Sequence, residues 1–115
     1  MFEAAAVKGD DGVHRQCRAF ALALAGDRAG VHAVVGPEYR RLASYDPELP
    51  VYLVEIFALA GDYDEAAHWL RRAMEAGFIC YPLASRNPLY GDFHRDPRCI
   101  AILETMRARW EAFVV

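Results

Sequence analysis

The chain has no excess of basic charge. Its 13 Lys and Arg residues are outnumbered by 16 Asp and Glu, giving a formal net charge of −3 and a pI of about 5.8. Nucleic-acid binding rests on cationic side chains that neutralise phosphates, so this balance argues against nucleic acid as the main partner. It argues equally against an anionic membrane surface. Cysteine is sparse and unpatterned. Cys17, Cys80 and Cys99 are odd in number, widely spaced and without a CxxC pair. Disulfide-stapled secreted domains show denser, even sets, so the expectation is three reduced, largely buried thiols in a cytoplasmic protein. The opening stretch Met1-Phe2-Glu3-Ala4-Ala5-Ala6-Val7-Lys8 has neither a positive n-region nor a long apolar run, and does not read as a signal peptide. No apolar run approaches the ~20 residues needed to span a bilayer. The alternating pattern of a half-buried strand is also missing.

What is present is an ordinary globular balance, 55% hydrophobic and 25% charged over 115 residues. That suits a single domain, 1–115, able to bury a modest core. It also contains an internal repeat, the feature to seek first. Ala23-Leu24-Ala25-Gly26-Asp27 recurs 35 residues later as Ala58-Leu59-Ala60-Gly61-Asp62. In each copy the glycine ends one helix in a conformation that L side chains avoid. The aspartate after it caps the next helix. Such a connection makes an αα-hairpin, and two hairpins one period apart imply stacked helix pairs.

The second hairpin is the clearer. Pro50 suits a first helical turn, and Val51 to Ala60 follows with Leu53, Val54, Phe57 and Ala60 on one stripe. Tyr63 to Ala76 is the partner helix. Ala66, Leu70, Ala73 and Met74 lie on one face beside Trp69, with Asp64 and Glu65 in the first turn, and Gly77 ends it. The first hairpin is looser. Asp10 or Asp11 caps a helix to Ala25 lined by Cys17, Phe20 and Leu24. Its partner begins near Asp27, carries Val31, Val34 and Val35, breaks or kinks at Gly36-Pro37, and resumes over Glu38 to Tyr45. Asp46 to Pro50 is a linker. Phe78 to Arg95 is irregular, with a short helix near Ile79 to Ser85 and a turn near Leu89 to Asp92. Asp96-Pro97 then opens a last helix to Phe113, on which Cys99, Ile102, Leu103, Met106, Trp110 and Phe113 form the apolar side. The divisions are a degenerate repeat over 10–46, a clear repeat over 47–78, an irregular linker over 79–96 and a capping helix over 97–113.

Leu53, Phe57, Gly61, Tyr63, Ala66, Leu70 and Ala73 stand at spacings that resemble the tetratricopeptide repeat. Asn87-Pro88-Leu89 and Arg95-Asp96-Pro97-Arg98, followed by an apolar helix, resemble the segment that closes bacterial arrays of this family. The resemblance implies an all-α fold of stacked antiparallel helix hairpins, about two repeats plus a C-terminal capping helix, with a ligand peptide on the inner face. Two departures stand out: Val54 where the family places Gly or Ala, and Phe78 where a Pro often ends the repeat. The inner positions at which relatives hold a terminal carboxylate with Lys and Asn are Gln16, Phe20, Val51 and Glu55 here. The resemblance therefore does not imply a carboxylate clamp.

Catalytic and metal patterns are scarce. His14 and Cys17 share a helical face, but His32, Cys80, His94 and Cys99 follow no ligand spacing, and no metal or cofactor is expected. Capping explains Asp62, Asp64 and Glu65 better than a calcium loop does. Gly26 to Gly30 lacks the Lys-Ser/Thr of a phosphate loop, and no Gly-x-Ser-x-Gly or HExxH occurs. His94, among Asp92, Arg95 and Asp96, reads as part of a solvated loop. The expectation is a non-enzymatic module that binds a protein or peptide through Gln16, Phe20, Ala23, Tyr52, Glu55 and Leu59. One alternative is a helical fragment or subunit of a bacterial regulatory protein. Another is a small-molecule binder with a pocket between the hairpins, lined by His14, Cys17 and Tyr52. Because repeat arrays need about three units for a continuous core, either the tail caps the array or two chains share an interface. The apolar ending Phe113-Val114-Val115 favours a homodimer.

Overall fold

The computed structural model describes residues 11–113. The leader reading at Met1 to Lys8, the cap at Asp10 and the ending Val114-Val115 lie outside them. The described residues are helical, with no strand among them: α1 Asp11–Leu24, α2 Arg28–Ala43, α3 Leu49–Leu59, α4 Tyr63–Glu75, α5 Tyr81–Arg86, a 3₁₀ segment Pro88–Arg95, and α6 Pro97–Phe113.

The repeated pentapeptide forms the same turn twice. Gly61 has φ 79°, and its N–H donates to Ala58 O at 3.1 Å while Asp62 N–H donates to Phe57 O at 2.9 Å. Gly26 has φ 77°, with Gly26 N–H to Ala23 O at 3.0 Å and Asp27 N–H to Leu22 O at 2.9 Å. This paired bonding satisfies carbonyls that a helix end leaves unmade. The aspartates then satisfy the next helix. Asp27 accepts from Gly30 N–H, and Asp62 from Glu65 N–H. Gly-Asp is thus a complete stop-and-start signal, and it packs α1 against α2 and α3 against α4.

α2 does kink, at Gly36 (φ 56°, ψ 168°), and Pro37 follows where its missing N–H is harmless. The helix resumes to Ala43 and buries Val31, Val35, Tyr39 and Ala43. α3 is the central element, in contact with α1, α2, α4 and the 3₁₀ segment. Its Pro50, Leu53, Val54, Ile56, Phe57 and Ala58 are all buried, as expected of a helix with apolar residues on most sides. Full burial of side chains such as Leu53, Phe57 and Leu70 contributes roughly 2 kcal/mol each. One strip of α3 stays open: Val51, Tyr52, Glu55 and Leu59 are half-buried or exposed.

The tail lies against these pairs. The 3₁₀ segment packs on α3, and α6 packs on α4 and α5. Tyr90 and Phe93 fill the space beside α3, and Cys99, Ile102, Leu103 and Met106 form the buried side of α6.

Four expectations need correction. On α1 the buried residues are Ala19 and Ala23, whereas Cys17 and Leu24 are exposed and Phe20 half-buried. The small alanines win because neighbouring helices approach closely there. Of the thiols only Cys99 is buried; Cys80 is half-buried and Cys17 exposed. Trp110 is half-buried and Phe113 is 75% exposed, because the last turns of α6 run past the elements it packs on. His94 is not a solvated loop residue. It is half-buried, stacks on Tyr90 at 5.1 Å between ring centroids, and donates through Nε2 to Ala84 O at 3.1 Å.

Candidate functional site

The open strip of α3 faces two hollows. One, about 370 Å³, is lined by Pro47, Glu48, Val51, Tyr52, Ala76, Gly77 and Phe78. The other, about 420 Å³, is lined by Val51, Glu55, Phe78, Pro82, Leu83, Arg86, Asn87 and Pro88. Val51 and Phe78 line both, so the hollows adjoin as a two-part groove along α3, between the C-terminal end of α4 and α5. Its walls are mostly apolar. Leu83 is 66% exposed and Tyr52 38% exposed, an arrangement that leaves apolar surface free for a partner.

The groove is held by the junction between tail and α3. Asn87 uses both ends of its amide: Oδ1 accepts from Leu89 N–H at 2.9 Å, capping the 3₁₀ segment, and Nδ2 donates to Glu55 Oε2 at 2.7 Å. That second bond fixes the Glu55 carboxylate on the groove wall. Behind it, the Tyr90 hydroxyl is buried with no hydrogen-bond partner among the described residues. Burial, reinforced by the negative charge of Glu55, pushes its ionisation well above the ordinary tyrosine range. Burial likewise pushes the Cys99 thiol up to about 12, with a smaller contribution from Asp96. A thiol so held stays protonated and unreactive.

A second polar group joins α2 to α4. Asp62 Oδ2 receives His32 Nε2 at 2.6 Å, and Arg40 Nη2 lies 3.2 Å from His32 Nδ1. A guanidinium can only donate, so Nδ1 accepts and Nε2 carries the proton. Arg40 Nη1 donates to Glu65 Oε1 at 2.7 Å, which also accepts from Trp69 Nε1 at 3.2 Å. Arg40 lies over the Phe57 ring, 5.5 Å from its centroid. Arg28 Nη2 donates to Gly61 O at 2.8 Å, tying one Gly-Asp turn to the other. Both ring nitrogens of His32 are engaged within the protein, so the cluster reads as a seam between α2 and α4. Asp62 and Glu65, expected as caps, therefore also anchor α2, and Asp64 contacts Arg98 of α6. Among the described residues no three His, Cys, Asp or Glu side chains converge in a cluster suited to a metal ion.

Of the residues expected at the binding face, Tyr52 lines the smaller hollow and Glu55 the larger, and Val51 lines both. Gln16, Phe20 and Leu59 are half-buried and line neither hollow, and Ala23 is 1% exposed, enclosed in the core. His14 and Cys17 likewise line neither hollow. Sequence reasoning missed Phe78, Pro82, Leu83, Arg86 and Asn87. The signal available was the density of proline and aromatic residues from Phe78 onward, where Phe78 replaces the proline expected by resemblance and supplies the wall shared by both hollows. No helix among the described residues is long and apolar enough to cross a membrane. No protein family, curated protein or solved structure matches this chain.

Proposed function

We propose that this chain is a tetratricopeptide-like interaction module, without catalytic activity, that binds a peptide segment of another protein along the open strip of α3. The observation that carries the reading is the groove itself. Two hollows strung along one helix, sharing the Val51–Phe78 wall and walled mainly by apolar side chains, suit an extended chain better than a compact small molecule. Equivalent burial in the two helix pairs supports the repeat reading. Residues 35 apart share buried positions: Ala19 with Val54, Ala23 with Ala58, Val31 with Ala66, and Val35 with Leu70. In this reading the tail caps a two-repeat array by laying the 3₁₀ segment on α3 and α6 on α4.

The test is affinity capture of interacting fragments from a displayed library of random dodecapeptides, with the chain and its Leu83→Ser variant side by side. Leu83 is largely exposed, so its replacement leaves the fold intact while stripping one groove wall. Enriched sequences that bind the unaltered chain, and bind Leu83→Ser at least about fivefold more weakly, support the reading. Sequences that bind both proteins equally place the binding surface elsewhere and overturn it.

A further inference from the structure

Glu55 is the half-buried acid that lines the groove, and no arginine or lysine pairs with it among the described residues. Four Asp or Glu residues are half-buried: Glu55, Asp62, Glu65 and Asp96. Glu65 is met by Arg40 and Asp96 by Arg98, while Asp62 accepts from the neutral His32 ring and, like those two, lines neither hollow. Glu55 has the neutral Asn87 amide on Oε2 and no cation within ion-pairing distance among the described residues. A partly desolvated carboxylate with no counter-charge is a costly arrangement that an incoming cation relieves. It also lies mid-strip, on the wall of the larger hollow, and Glu48 adds a second carboxylate to the adjoining one. Arg86 is the cation lining the groove. It is exposed, so water screens it far more than the half-buried Glu55.

We propose that the groove selects peptide segments in which a Lys or Arg side chain stands two residues from an aliphatic or aromatic one, with the cation seated on Glu55. This rests on the peptide-binding reading above. The geometry supports the spacing. The hollows adjoin along α3 and share Val51 and Phe78, and in an extended peptide side chains two residues apart project to the same side roughly 7 Å apart, within reach of two adjoining hollows. The larger hollow is lined by Val51, Pro82, Leu83 and Pro88, apolar surface for the methylene stem of a long basic side chain whose head reaches Glu55. The smaller hollow, against Pro47, Tyr52 and Phe78, takes the apolar residue. Charge complementarity of this kind sets specificity and orientation more than raw affinity.

The test reads the sequences enriched from the random dodecapeptide library, then measures one enriched synthetic peptide by fluorescence anisotropy against Glu55→Gln and Arg86→Gln. Gln at 55 keeps an oxygen for Asn87, and Arg86 is exposed, so both variants are expected to retain the thermal unfolding midpoint. The expected result is enrichment of a basic residue two positions from an apolar one, about tenfold weaker binding by Glu55→Gln, and unchanged or tighter binding by Arg86→Gln. Enrichment with no basic preference, a preference for acidic residues, or a loss at Arg86→Gln in place of Glu55→Gln overturns this inference and leaves peptide binding standing. Failure to enrich any sequence overturns the peptide-binding reading, and this inference with it.

Discussion

Tyr90 shows how a single atom can sit badly in a well-packed place. It is 1% exposed, and its ring packs edge-on against Phe93 at 5.8 Å and at a tilt against His94 at 5.1 Å. The ring repays its burial; the hydroxyl does not, having no partner among the described residues. Tyr90→Phe removes the unsatisfied oxygen and keeps the packing. The expected outcome is unchanged or higher stability, by up to about 1 kcal/mol, read as the midpoint of chemical unfolding at constant m. Asn87 is the opposite case. Both ends of its amide are satisfied, one by its own backbone segment and one by Glu55, so one side chain sets the start of the 3₁₀ segment and the attitude of the groove carboxylate.

Among the elements, α6 depends most on charge at its start. Asp96 accepts from Arg98 N–H at 2.9 Å and from Arg98 Nε at 3.0 Å through Oδ1, while Oδ2 receives Arg98 Nη2 at 2.9 Å; Arg98 also reaches Asp64 of α4. The Arg98 side chain, with its backbone N–H, holds the Asp96 carboxyl below the ordinary carboxylate range. A carboxyl depressed in the folded state stabilises fully above its unfolded value, near pH 4, and loses that contribution as pH falls through the folded value. Asp96→Asn keeps a good capping side chain but removes the charge. Its expected outcome is lower stability than the parent at pH 7 and a smaller difference as pH falls below about 4, measured by thermal unfolding across pH. A gap that persists unchanged into strong acid would show that the ion pair with Arg98 contributes nothing. α3 is governed instead by packing, since its apolar residues meet neighbours on nearly all sides and only one strip is left open.

The molecule measures 48 × 25 × 21 Å with a radius of gyration of 14.6 Å, longer in one direction than in the other two. Large apolar side chains remain exposed away from the groove: Leu24 at 71%, Leu42 at 61%, Tyr45 at 86% and Phe113 at 75%. The homodimer anticipated from the apolar terminus remains our proposal at this scale, with Phe113 as its contact. Light scattering on the full chain is expected to give twice the 12.9 kDa chain mass, and Phe113→Glu to return it to the chain mass. A single chain mass for the parent at high concentration would remove the dimer.

The all-helical class was legible in the sequence because its signals are local. Gly26-Asp27 and Gly61-Asp62 encode their turns completely, since the bonds they make lie within five residues. The Gly36-Pro37 kink and the Asp96-Pro97 start follow from backbone sterics, and the apolar stripe of α4 follows from helical periodicity. The tertiary structure alone decided which stripes are buried when several elements compete for one face. It covered Ala23 and exposed Leu24, because close helix approach favours the smaller residue. It paired Asp62 with His32, Glu65 with Arg40 and Glu55 with Asn87 across 25 to 32 residues, distances over which no sequence pattern specifies a partner. The groove belongs to this second category. Its strip on α3 has helical spacing, but its other wall comes from Phe78 to Pro88, a segment without periodicity whose place is fixed only by what it packs against.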